Sequence, residues 1–233
     1  MIPKTIHYCW FGGKPKSRLV IRCLNSWRAQ CPGYEIVEWN EDNFDVNLLP
    51  FTRDAYSAGK FAFVSDYARL WVLFHHGGVY LDTDVELIQP LDSLLNNEAF
   101  FSFETKDWVA SGLGMGARQG HPIVLDMMKE YKDLAFPADG VYQAVGCPRL
   151  NTRVLLRHGL VLNNAYQQLG QVAVYPSEVL NPLDNATGLV HKTPNTIGIH
   201  WYGKSWIPWH KRLRAQILRL VRRALGAQAL RRS

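Results

Sequence analysis

The chain has 233 residues, 47% hydrophobic and 20% charged, which is enough apolar material to close one α/β domain and too little length for two large ones. Its formal charge of +6 resides at the C-terminus, where eight basic residues and no acid lie between Lys211 and Ser233; without them the remainder carries −2. That distribution argues against a nucleic-acid-binding domain. No uninterrupted apolar run approaches the ~20 residues of a spanning helix, and four cysteines without C-x-x-C spacing read as reduced or buried thiols of an intracellular protein. The N-terminus lacks the cationic start and apolar run of a secretory leader, so none is expected.

In chain order, Thr5 to Phe11 reads as a strand, Leu19 to Ala29 as a helix, and Tyr34 to Trp39 as a second strand entered from Pro32-Gly33. This βαβ unit opens a mostly parallel central sheet flanked by helices. A helix follows from Phe61, with Phe61, Val64, Ala68, Trp71 and Val72 at helical spacing and Ser65, Asp66 and Arg69 gathered in an arc of about 100°. Gly77-Gly78 ends it, and Val79 to Leu81 forms a short strand whose carboxyl end carries Asp82 and Asp84. One residue separates the two acids, so on extended backbone both side chains leave the same face.

Leu87-Ile88 leaves that turn as a strand stopped by Pro90, Ala99 to Phe103 is a further strand followed by Glu104, and Pro122 opens a helix to Lys132. Between Phe136 and Asn195 the periodic signals fade. Ile197 and Ile199 then alternate around Gly198 and deliver His200 to an aromatic loop ending at Trp206. In the tail, Leu213, Ile217, Leu220, Val221, Ala224 and Leu225 share one helical side and Arg212, Arg219, Arg222 and Arg223 the other. That pattern suits either an anionic membrane surface or a helix docked on the domain.

Two carboxylates at a strand end suit a hard cation, Mn2+ or Mg2+, that keeps positions for phosphate oxygens; a pair of solvated turn aspartates is the alternative. Asp66 and Arg69 read either as ligand-holding groups or as an i,i+3 ion pair on a wet helix face. His200 offers a neutral third ligand, or a histidine packed beside Trp201.

The run S-D-x-x-R (Ser65 to Arg69) followed by G-G-V-Y-x-D-x-D (Gly77 to Asp84) resembles the core of glycosyltransferase family 32, the DXD sugar-binding region group. Ile2 to Gly13 is similar to the same family's opening strand and loop. His200 to Trp206 is similar to the H-x-x-G-x-x-K-P-W loop of retaining transferases of the glycogenin type, although Lys204 directly follows Gly203 and Ser205 stands where proline is expected. The resemblance implies a GT-A-type, Rossmann-like α/β domain over residues 1–210, with 211–233 a basic amphipathic tail.

It implies that Trp10 stacks on a nucleotide base, a core aromatic beside Tyr8 and Phe11 being the alternative; Asp66 and Arg69 hold donor-sugar hydroxyls; and Asp82 and Asp84 serve the ribose and the metal, with His200 completing the metal site. Lys204 would meet the diphosphate, Ser205 and Trp206 would close over it, and Glu104 is the carboxylate available as nucleophile or acceptor contact.

The implied activity is retaining, metal-dependent transfer of a hexose from a nucleotide diphosphate sugar, UDP by analogy, to a glycan acceptor in surface-polysaccharide synthesis. A lipid-diphosphate-linked acceptor and peripheral contact with the inner membrane face would suit the tail. The stretch between Phe136 and Asn195 is expected to face the acceptor. The alternatives are a protein-glycosylating transferase of the same fold, a haloacid-dehalogenase-type phosphatase, disfavoured because Glu86 stands where Thr or Val is needed, and a basic adaptor on membranes or nucleic acid working through the tail.

Overall fold

The computed structural model describes residues 1–137, 140–142 and 144–203. The elements run β1 (Thr5–Cys9), α1 (Arg18–Gln30), β2 (Glu35–Trp39), α2 (Pro50–Ser57), α3 (Phe61–His76), β3 (Gly78–Tyr80), β4 (Val85–Leu87), β5 (Ala99–Thr105), β6 (Trp108–Val109), β7 (Met115–Ala117), α4 (Pro122–Lys129), α5 (Cys147–Arg157), β8 (Gln167–Leu169), β9 (Val172–Tyr175), α6 (Ser177–Leu180) and β10 (Gly198–His200).

The main sheet has the order β2-β1-β3-β7-β5-β9-β8, with β6 against β5. Strands β2, β1 and β3 pair in parallel, β7 runs antiparallel between β3 and β5, and β5 pairs in parallel with β9. It is a mixed sheet whose strands mostly point one way, as an α/β fold with short antiparallel insertions requires. β4 and β10 leave it as a separate antiparallel ribbon that pairs His200 with Val85.

Both faces of the sheet are covered. Along β1, Ile6 and Tyr8 enter one apolar cluster and Cys9 the other; along β5, Phe100 enters the first and Ala99, Phe101 and Phe103 the second. This is the period of two expected of a strand with a core on each side. Helix α1 covers the first face with Val20, Leu24 and Trp27, spaced i, i+4, i+7; the Ser17 hydroxyl caps it by accepting from the Val20 N–H. Trp27 is fully buried and its indole N–H donates to the Val85 carbonyl at 2.7 Å, which ties α1 to the β4–β10 ribbon. Helices α2 to α5 cover the second face.

Two glycines set the α3–β3 junction. Gly77 reverses the chain at φ 68°, and a Cβ on Gly78 would lie 2.7 Å from the Thr5 carbonyl oxygen, so only glycine lets β3 close on β1 there. Here His7 receives the Trp39 indole N–H on Nδ1 (3.1 Å) and therefore donates from Nε2 to the Gly77 carbonyl (2.9 Å). Burial, with His76 nearby, lowers its pKa to about 4.

Several expectations need correction. β1 stops at Cys9 and α4 at Lys129, short of Phe11 and Lys132. Asp82 and Asp84 are not on extended backbone: Val85 N–H donates to the Asp82 carbonyl at 3.0 Å, a turn forced because the chain leaves the main sheet to pair with β10. The stretch read as lacking clear elements contains α5, β8, β9 and α6. The four cysteines are buried free thiols. No helix among the described residues is long and apolar enough to cross a membrane. Lys204, Ser205, Trp206 and the tail from Lys211 lie outside the described residues.

Candidate active site

The carboxyl ends of β1, β3 and β5 point to one edge, and the chain places its ionisable groups there. After β3, the Asp82 N–H donates to the Gly112 carbonyl (3.1 Å), and Asp82 Oδ1 meets both the Tyr80 hydroxyl (3.0 Å) and Arg69 Nη2 (3.1 Å). Asp66 Oδ1 meets the same guanidinium nitrogen at 3.0 Å. Arg69 also donates from Nε to the Ser65 carbonyl and from Nη1 to the Ser111 hydroxyl, lies 3.7 Å from Cys147 Sγ, and sits over the Tyr80 ring at 4.8 Å.

The helix face carrying Asp66 and Arg69 is thus not wet: both residues are buried, at 8% and 3% exposure. α5, in the stretch expected to face the acceptor, instead supplies the Cys147 that backs this ion pair.

Asp84 faces the ribbon. Its Oδ1 lies 3.1 Å from His200 Nε2, its Oδ2 accepts from the Gly203 N–H at 2.6 Å, and its carbonyl accepts from the Trp201 N–H at 2.9 Å. Trp201 is held in turn by its indole bond to Glu86 and by Arg22 against its ring. Asp82, Asp84 and His200 each offer a ligand atom, and these lie within 4.8 Å of one another.

Burial and charge shift the site's pKa values in opposite directions. Burial pushes the Asp66 carboxyl up to about 6 against the pull of Arg69, and raises Asp82, with Asp84 adding to the effect. Burial also opposes ionisation of Asp84, but His200 and the Gly203 N–H outweigh it and its carboxyl falls below the ordinary range. His200 rises, because Asp84 overcomes the cost of burying an imidazolium.

Asp66 and Asp82 share the one Arg69 guanidinium, and Asp84 adds a third carboxylate beside His200. His200 Nδ1 is buried without a hydrogen-bond partner. Two carboxylate oxygens and an imidazole, with that orphaned nitrogen, fit a divalent ion.

The remaining candidates are placed as follows. Trp10 follows β1 at the same edge, half-buried, with its N–H bonded to the Trp39 carbonyl and its indole to the Lys14 carbonyl. Glu104 lies next to the end of β5; its Oε1 accepts from the Tyr202 hydroxyl at 3.1 Å, and Asn181 Nδ2 donates both to that hydroxyl (2.8 Å) and to the Glu104 carbonyl (2.9 Å). The Tyr202 ring lies 4.2 Å from that of His200, on backbone at φ 50° that a non-glycine residue adopts at a cost of ~1 kcal/mol or more.

Sequence reasoning missed Tyr80, Ser111, Gly112, Cys147, Asn151, Asn181 and Tyr202. Gly112 stood in a conspicuous S-G-L-G-M-G run; Asn151 carried no signal. Asn151, one turn beyond Cys147 on the same face of α5, is fully buried with neither amide atom partnered. A buried amide with both ends open calls for a ligand or a bound water to satisfy it.

The sheet order and the acidic turn at its carboxyl edge define a GT-A-like glycosyltransferase fold. The PaToxG glycosyltransferase superposes on it with a TM-score of 0.56 at 19% identity, covering 68% of this chain and 69% of that one. Residues 17–101 match the family described as "glycosyltransferase sugar-binding region containing DXD motif", and the chain therefore carries that region, of the family 32 type.

Inositol phosphoceramide mannosyltransferase 1 of Schizosaccharomyces pombe is 29% identical over 134 residues, 53% of this chain and 40% of that protein. Mannosyl phosphorylinositol ceramide synthase SUR1 of Saccharomyces cerevisiae is 29% identical over 140 residues, 57% of this chain and 35% of that protein. The chain thus spans well under half the length of these relatives.

Proposed function

We propose that the protein transfers a hexose from a nucleotide diphosphate sugar to a glycan acceptor, with retention at the anomeric carbon. The supporting observation is the convergence of Asp82, Asp84 and His200 on one point beside the buried Asp66–Arg69 pair. In this reading these three residues hold Mn2+ or Mg2+, which when bound supplies neutralising charge to the departing diphosphate.

Asp66 and Arg69 are proposed to meet the donor-sugar hydroxyls from a rigid, water-poor wall, Asp66 through its carboxylate and Arg69 by giving up one of its internal partners, with the Asn151 amide as a further donor and acceptor. The Trp10 face stacks on the base, for which a uridine is proposed. Lys204, Ser205 and Trp206 are proposed to meet the diphosphate. Glu104, oriented by Tyr202 and Asn181, is proposed as nucleophile or acceptor contact, and no nucleophile is needed if the acceptor hydroxyl attacks from the side the leaving group vacates.

A surface-polysaccharide acceptor is proposed from the family resemblance, and its lipid-diphosphate linkage at the inner membrane face from the tail pattern alone. The names of the yeast relatives favour a second reading, mannosyl transfer to a phosphoinositol-ceramide acceptor.

The test is hydrolysis of a panel of nucleotide sugars with and without Mn2+. Asp84→Ala is expected to abolish Mn-dependent turnover of the preferred donor; undiminished turnover in that variant overturns the assignment.

A further inference from the structure

A cavity of about 380 Å3, whose lining includes none of Asp82, Asp84 and His200, opens where the end of the β4–β10 ribbon meets α6. Its wall carries two tyrosines, Tyr166 and Tyr175, with ring centroids 5.3 Å apart, and its floor is Ile197. Around them stand the Gln89 and Asn195 amides and the Glu178 carboxylate, which accepts from Asn195 Nδ2 at 3.1 Å. Among the described residues the lining holds no Lys, Arg or His, so it offers nothing to a phosphate and repels anions through Glu178.

Aromatic faces packed against C–H groups, with a carboxylate and primary amides to pair with vicinal hydroxyls, are the chemistry that recognises an uncharged sugar ring. We infer that this cavity is a carbohydrate subsite, which binds a neutral sugar unit of the acceptor glycan remote from the reacting hydroxyl. The inference rests on the transferase reading for its biological sense but not for its test.

The ribbon gives the subsite its place. At one end it pairs Val85 with His200, beside the proposed metal ligands; at the other, the Ile88 and Gln89 N–H groups both donate to the Ile197 carbonyl at the cavity floor. Val85 and Gln89 are four residues apart, about 13 Å along a strand, a distance that a short oligosaccharide spans. α6 links the same two places: Glu178 lines the cavity, and Asn181, just past the helix, holds Glu104 and Tyr202. Thr196 ties the approach to β10 back to α6 by donating to the Glu178 carbonyl at 2.9 Å.

The experiment uses the purified full chain and four neutral probes: methyl α-mannoside, methyl α-glucoside, methyl β-galactoside and N-acetylglucosamine. Binding is read by saturation-transfer NMR and calorimetry without nucleotide or metal. At least one probe is expected to bind, and Tyr166→Ala and Glu178→Gln are each expected to weaken it about tenfold. Tyr166 is half exposed, so its replacement leaves the fold intact.

Donor hydrolysis is measured on the same preparations and is expected to be unchanged in both variants. Binding of none of the probes, or wild-type affinity in both variants, overturns the subsite. Absence of donor hydrolysis in the wild-type chain strikes at the transferase reading instead and leaves the sugar titration to decide the cavity on its own.

Discussion

Gly112 leaves open the space that the Asp82 carboxylate occupies: a Cβ there would lie 2.2 Å from Asp82 Oδ2 and 3.0 Å from Arg69 Nη1. The backbone of Gly112 is also fixed, because its carbonyl accepts the Asp82 N–H. Neither partner can yield freely, since Tyr80 and Arg69 hold Asp82 from the other side.

Gly112→Ala should therefore displace the Asp82 carboxylate and lower Mn-dependent donor hydrolysis by about 100-fold or more, as a displacement near 1 Å does in a preorganised site. The melting temperature should fall by only a few degrees, corresponding to about 1–2 kcal/mol of overpacking. Wild-type turnover with a shifted melting temperature would show that Asp82 does not need this position.

Arg69→Lys tests the buried ion pair. The guanidinium serves Asp66, Asp82, the Ser65 carbonyl and Ser111 at once, a fork that one ammonium cannot copy. Leaving buried carboxylates underpaired should cost about 3 kcal/mol in urea unfolding and raise the donor KM. An unchanged unfolding midpoint would mean that the pair is solvated in solution.

Asn151→Leu keeps the side-chain shape while removing two unpartnered polar atoms. Stability should rise by about 1 kcal/mol or more, because the desolvation penalty of the amide disappears. Donor affinity should fall at the same time. The opposing directions are the diagnostic: a variant that loses both stability and affinity would mark Asn151 as a structural residue with a bound water.

The pH dependence of stability carries a signature of His7. Its folded pKa of about 4 lies below the ordinary 6.5, so between those values the unfolded chain binds a proton that the folded chain refuses. The penalty is absent above pH 6.5, grows as pH falls, and reaches about 3 kcal/mol below pH 4. His7→Gln, whose amide offers a donor for the Gly77 carbonyl and an acceptor for the Trp39 indole but no titratable ring, should lose less stability on acidification. Parallel pH profiles for the two proteins would contradict this.

How far the sequence was legible follows from where each signal is stored. α3 and the glycine pair after it were readable because helical spacing and left-handed backbone are local properties, and Phe61–His76 ends where Gly77 demands. α5 escaped notice because its buried face includes Cys147, Asn151 and Thr152, which dilute the apolar period. β9, four residues of which three are buried, is too short to tell from a buried helical turn. The conformation of the D-x-D segment was misread as extended because what bends it is pairing with β10 far along the chain.

The same goes for burial: Asp66 and Arg69 have the spacing of a surface pair, and only α5 and the 111–113 turn packed over them make the pair an interior one.

Asp84 is held from 119 positions downstream, by the Gly203 N–H, and its imidazole neighbour arrives on the last described strand. The stretch that matches the sugar-binding family, residues 17–101, ends well before either contact exists. A polypeptide halted before Gly198 would display the whole signature yet leave the acidic turn without its imidazole and without its clasp. As the ribosome extends the chain, Asp82, Asp84 and His200 come together only when β10 docks. The signature is a promissory segment, and the C-terminal ribbon strand converts it into a site.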